Sequence, residues 1–452
     1  MTNRYSRRQM IHALGGGLGS LALANLLATP ARAAEREPHF RPRAKRVIHL
    51  FMNGGPFGPD FFDPKPALHR YAGQRPAEVE LRTERQTFGL MPSPYRFRPQ
   101  GRSGVAMSEL LPRLSACADD LCVLRSVHTD NPNHGPALFL MNSGAVTPTR
   151  PSLGAWLSYG LGSENAELPS FVVLCPGRPV RFSELWTSGF LPSEHQGTYL
   201  NHTDLDPQRM IPFLRNALPL EAQRRQLDLM RRLNDEHRAE RGPDPALDAR
   251  IQTMETAFRM QMAASDAFDI RREPPRTREA YGTTHFANAC LLARRLAERG
   301  VRFTQIYYGN GQPWDTHNQH NAQVRRLAQD IDQPIAALLT DLKQRGLLDE
   351  TLVIWGGEFG RTPTSESGDG RDHNHWGFSM FLAGGGAKGG MVYGATDPFG
   401  FRAVEDKVHI HDLHATILHL MGFDHERLTY RHAGRDFRLT DVAGELVPEM
   451  LA

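Results

Sequence analysis

Short apolar runs punctuated by glycine, proline, aspartate or asparagine recur along this chain, with longer amphipathic stretches between them. Residues 47–52 (VIHLFM), 121–124, 171–174, 301–307, 352–355 and 380–383 each read as a buried strand, because apolar residues there fall on both faces. Residues 218–240, 246–268, 284–299, 324–345 and 412–421 carry the spacing of helices. Gly346 and Gly422 stand where C-caps belong. Strands alternating with helices predict an α/β fold: a central, largely parallel sheet with helices on both faces. The helical pair at 218–268, split by Gly242 and three following turn residues, reads as an insertion.

The first 34 residues depart from this pattern. Arg7 and Arg8 precede an apolar, glycine-rich stretch (11–27), and Ala31 and Ala33 offer small residues for cleavage. This reads as a twin-arginine export signal rather than a membrane span, because four glycines lower its hydrophobicity and no basic flank follows. Residues 35–44 read as a linker and 45–452 as the folded domain. The expected location is periplasmic or extracellular. The twin-arginine translocation machinery would be a partner, and membrane contact would be transient.

Charge excludes a second class. The chain has 53 basic and 50 acidic residues, and the signal holds four arginines and no acid. Its removal leaves 49 against 50, so the basic balance is no argument for nucleic-acid binding. Four cysteines (Cys117, Cys122, Cys175, Cys290) form no C-x-x-C pair. A short Cys117–Cys122 disulfide and four buried thiols both remain open.

Chemistry gathers where strands end. An apolar run stops at Glu358, with Arg361 just beyond and Asp372, His373 and His375 after that. Asp60 follows the first strand, while Asp315, His317 and His320 follow the 301–307 strand. Ligands of α/β proteins bind beyond the carboxyl ends of strands, where distant loops converge. Carboxylate and imidazole together suit a divalent metal, with Asp60, Asp315, His317 and Glu358 expected within mutual chelating reach. No H-E-x-x-H helix occurs, which argues against a zinc peptidase.

Residues 54–66 (GGPFGPDFFDPKP), 133–137 (NHGPA), 141–144 (MNSG), 314–317 (WDTH), 356–363 (GGEFGRTP), 373–377 (HNHWG), 411–418 (HDLHATIL) and 435–441 (RDFRLTD) carry a resemblance. Together they resemble the alkaline phosphatase superfamily, in its uncharacterised branch of twin-arginine-exported, sulfatase-like proteins. That resemblance implies hydrolysis of phosphate or sulfate esters, on small molecules or polysaccharides. It also implies one or two divalent ions, zinc first, with calcium, magnesium or manganese as alternatives. The implied metal residues are Asp60, Asp315, His317, Glu358, Asp372, His373, His375 and His411, with Phe359 standing where the family has a ligand. His134 falls where relatives carry a serine, threonine or cysteine nucleophile. Three roles stay open for it: covalent nucleophile, metal ligand, or bystander to attack by metal-activated water. Arg361 is the expected stabiliser of developing negative charge, while Arg371 reads either that way or as a structural clamp. A catalytically inactive binding or structural protein that retains the fold is the alternative.

Overall fold

A computed structural model describes residues 37–76, 82–211, 220–242, 266–366 and 368–452. The expected export signal, the first residues of the expected linker and most of the second expected insertion helix lie outside the described residues.

Among the described residues, nine strands form the main sheet: β1 (Arg46–Phe51), β2 (Leu121–His128), β3 (Phe171–Leu174), β4 (Thr198–Leu200), β5 (Phe303–Tyr307), β6 (Thr351–Gly356), β7 (Phe378–Ala383), β8 (Met391–Tyr393) and β9 (Val408–His409). The order is β8-β2-β7-β6-β1-β5-β3-β4, with β9 also paired to β2. Every pairing is parallel except those of β7, which runs antiparallel to both β2 and β6. The fold is therefore the α/β class that the strand pattern predicts.

Both faces of the sheet are covered, which is why its strands are apolar without alternation. Ile48 and Leu50 of β1 enter one core with α3 (His285–Glu298) and α4 (His320–Gln344). Val47 and Phe51 enter the other core, beneath α1 (His134–Ser143), α2 (Leu153–Leu161) and α5 (Ile410–Leu420). The helix ends follow local chemistry. Thr284 caps α3 by accepting from the Ala287 amide at 3.2 Å, and Gly346 takes the left-handed conformation (φ 67°) just beyond α4. The first half of the expected insertion is a helix at Leu220–Arg241. All four cysteines are buried free thiols.

This topology sets the place of the chemistry. The carboxyl ends of β1, β5 and β6 lie along one edge, and so does the start of β7, because β7 runs against its neighbours. Segments following β1, β5 and β6 therefore meet residues that precede β7.

Candidate metal centre

Asn53, just past β1, ties that edge together. Its side-chain amide donates to the Gly309 carbonyl at 3.0 Å, and its own carbonyl accepts from the Trp314 amide at 3.2 Å. Gly54 follows at φ 115°, with the backbone of Trp314 and Asp315 packed where a Cβ would stand. Only glycine permits this approach. It brings Asp315 over the end of β1 and leaves the Gly54 amide facing Glu358, which accepts from it at 3.1 and 3.2 Å.

Three imidazoles converge on one oxygen of Asp315. His134, the first residue of α1, holds Nε2 3.3 Å from Asp315 Oδ1. His317 Nε2 lies 2.9 Å from the same atom, and His373 Nε2 lies 3.3 Å away. His373 reaches this point from a two-residue ribbon in which it pairs with Arg361. Behind the rings the pattern repeats. His134 Nδ1 donates to Glu358 Oε1 at 2.6 Å, and His317 Nδ1 donates to Glu366. His373 Nδ1 donates to Glu84 Oε2 at 2.6 Å and to the Pro132 carbonyl at 2.8 Å.

Carboxylates and carbonyls only accept, so each Nδ1 carries a ring proton, and each Nε2 is the atom turned inward toward Asp315. His317 Nε2 and His373 Nε2 then face each other at 3.1 Å, and His134 Nε2 is buried without a hydrogen-bond partner. Two ring nitrogens this close need a proton or another cation between them. Burial works to lower the His134 pKa, yet the Asp315 and Glu358 carboxylates override it and hold it above its ordinary value. The Asp315 carboxylate likewise raises His317 against the effect of burial, with help from Glu366. For Asp315 itself burial opposes ionisation, but the three histidines and the Arg361 charge hold its carboxyl far below the usual range. Two donor triads that share His373, one of His134, Asp315 and His373 and one of His317, Asp372 and His373, have the residue types that suit a divalent ion such as zinc.

The sequence-predicted residues separate into those this centre gathers and those it does not. His134, Asp315 and His373 form one cluster of possible ligands, and His317, Asp372 and His373 form a second that shares His373. Glu358 stands behind His134, both of its oxygens engaged. Asp60 pairs instead with His320, Oδ2 to Nε2 at 2.8 Å, and His320 Nδ1 meets Thr316 Oγ1 at 2.6 Å. Burial pushes His320 down to about 4. His375 packs against the Trp376 ring and is lowered to about 4 by burial. His411 donates from Nε2 to the Gly144 carbonyl at 2.9 Å.

Arg361 is buried, with Nη2 2.5 Å from Asp315 Oδ1 and its remaining donors on the Gly54, Gly55 and Arg371 carbonyls. Arg371 bonds the Thr362 and Met91 carbonyls at 2.9 Å and stacks over Phe57, a structural clamp. Glu84, Arg85 and Glu366 were not marked by the sequence. Arg85 donates its amide to Asp372 at 2.7 Å and its guanidinium to Glu366 at 2.9 Å.

Fold and site together define an α/β protein with a histidine–carboxylate centre at the edge of its sheet. Residues 44–451 match the family model described as "Protein of unknown function (DUF1501)", and the chain belongs to that family. No curated protein matches it. Among solved structures it is similar to the PsFucS1 sulfatase from Pseudoalteromonas sp., at 14% identity over 93% of this chain and 73% of that one, with a TM-score of 0.38. The lipoteichoic acid synthase LtaP from Listeria monocytogenes matches at 10% identity over 89% and 76%, with a TM-score of 0.38. The C-terminal periplasmic domain of EptC from Escherichia coli, in complex with Zn, matches at 11% identity over 86% of each chain, with a TM-score of 0.34. Scores this low carry no argument about chemistry, and the fold rests on the sheet topology above.

Proposed function

We propose that the protein is an exported, metal-dependent hydrolase of phosphate or sulfate esters, acting on small molecules or polysaccharides. The observation that carries this reading is the convergence of three acceptor-braced histidines on Asp315 Oδ1. His134, Asp315 and His373 would hold an ion, with His317 and Asp372 completing a second set around the same His373. The chemistry a divalent ion supplies when bound is Lewis acidity, which polarises an ester and lowers the pKa of water toward neutrality.

The protein's own groups fix the rest. Glu358, Glu366 and Glu84 hold the Nδ1 protons of the three rings, so the rings keep one orientation and one tautomer. His134 aims Nε2 at the same point as the other two histidines, which supports a ligand role over covalent attack; water is then the nucleophile. Phe359 lies against the His134 and His373 rings, with centroids at 4.6 and 4.8 Å, and keeps bulk water from that side. Arg361 stiffens Asp315 from beneath, because its donors are already committed.

Arg7 and Arg8 ahead of the apolar stretch support export. No helix among the described residues is long and apolar enough to cross a membrane.

The test is elemental analysis of the purified protein, followed by assay of aryl phosphates, phosphodiesters and aryl sulfates with zinc, calcium, magnesium and manganese. Bound metal that Asp315→Ala removes, together with turnover that the same variant loses, supports the reading. Metal without turnover of any ester leaves a metal-binding protein that retains the fold. Absence of metal overturns both.

A further inference from the structure

An ester of phosphate or sulfate brings negative charge to a place already crowded with it. Five carboxylates stand around the three histidines: Asp315, Glu358, Glu366, Asp372 and Glu84. Some cation must receive the substrate's anionic group. Arg361 and Arg371 are fully enclosed, with donors turned to buried backbone carbonyls and, for Arg361, to Asp315. Arg85 differs. Its side chain is 53% exposed, and it borders the centre on the outer side of the His317 ring, with Nη1 2.9 Å from Glu366 Oε1 and 3.4 Å from His317 Nδ1.

An exposed arginine is ordinarily a loose one, but the backbone that carries Arg85 is fixed from several sides. Its amide donates to Asp372 Oδ2 at 2.7 Å, and its carbonyl accepts from Thr83 Oγ1 at 2.7 Å. The preceding Glu84 is bonded to His373, and Phe88 donates its amide to the Ser365 carbonyl at 2.7 Å. A guanidinium held this way is pre-organised. Only Nη1 of its five-donor fork is engaged among the described residues, and the planar fork matches a tetrahedral oxyanion.

We propose that Arg85 is the specificity-determining residue of this centre, its guanidinium binding the non-bridging oxygens of a phosphate or sulfate group presented to the metal. This rests on the ester-hydrolase reading for its substrate class. The chemistry it requires, oxyanion binding beside the ion, can be measured without turnover.

The experiment uses inorganic phosphate and inorganic sulfate as probes, titrated calorimetrically into the zinc-loaded wild type, Arg85→Ala and Arg85→Lys, with zinc content measured in each. Expected are unchanged zinc content, phosphate or sulfate affinity about tenfold or more weaker in Arg85→Ala, and an intermediate value in Arg85→Lys. With a turned-over aryl ester, KM should rise in the same order while kcat changes less. Anion affinity equal to wild type in Arg85→Ala overturns the assignment. So does a wild type that binds neither anion, or loss of zinc from both variants, which would make Arg85 a structural prop. A zinc-loaded wild type that binds phosphate through Arg85 but hydrolyses no ester refutes the hydrolase and leaves the anion site standing.

Discussion

Glu358 Oε1 lies 2.6 Å from His134 Nδ1, joining residues 224 positions apart across the end of the sheet. Glu358 is fully buried and also accepts from the Gly54 amide, so its carboxylate is the acceptor for two donors that no water reaches. Removing it strands both. Glu358→Ala is expected to cost about 1–3 kcal/mol of stability and to weaken zinc binding roughly 10–100-fold, with Glu358→Gln milder because its amide oxygen still accepts. Urea unfolding and competition with a chromogenic chelator measure the two effects. Wild-type zinc affinity in Glu358→Ala would show that His134 needs no support.

Gly54 is expected to tolerate no side chain. Its φ of 115° excludes L residues, and a Cβ would press on the backbone of Trp314 and Asp315. Gly54→Ala should lower stability by about 1–3 kcal/mol from backbone strain alone, and should reduce zinc content by moving Asp315. Thermal unfolding and elemental analysis check both. A stable variant that keeps its metal would place Asp315 under some other control.

Zinc should stabilise the folded chain. An ion held by the folded state alone adds stability that grows with its concentration over Kd. Dialysis against a chelator is therefore expected to lower the Tm, zinc to restore it, and Asp315→Ala to show neither change. Equal melting with and without chelator in the wild type rejects the centre.

Acid stability should depend on His49, which lies in β1 with its ring against Phe51 and Phe303. Burial lowers its pKa from 6.5 to about 3. Between those values the unfolded chain binds the proton and the folded chain does not, so stability falls as pH falls through that window and is constant above it. His49→Leu carries no proton in either state. It is expected to flatten the acid slope by up to about 1.4 kcal/mol per pH unit. His414, lowered to about 3 in the same core, leaves a residual slope. Urea unfolding near neutrality and at mildly acidic pH measures this; an unchanged slope would assign acid sensitivity elsewhere.

The parts of the centre that were legible sit where strand physics writes them. Asp315, His317 and Glu358 follow apolar runs directly, and strand ends converge in any parallel sheet. His373 was legible as part of a dense cluster, although its position depends on β7 running backwards, which no residue in 378–383 announces. Glu84, Arg85 and Glu366 left no local mark, because a polar loop reads the same whether it faces solvent or braces an imidazole. Asp60 shows the converse. A carboxylate after the first strand looks like a ligand, but a buried histidine one helix start away takes its Oδ2 at 2.8 Å. Residue type predicts a need for a partner, and only tertiary structure says which partner is found. A helix at Leu220–Arg241 stands where the first half of the expected insertion was read.

The reversed course of β7 has a consequence for how the protein matures. Its Phe381 must dock between Val123 of β2 and Trp355 of β6, so β2 joins the rest of the sheet only through a contact of very large sequence separation. Such contacts form late and slowly. A nascent or truncated chain ending before residue 373 lacks His373, the residue that both candidate ligand clusters share. If the proposed centre holds an ion, fragments that end before His373 are expected to be ion-free however well their remaining strands pair.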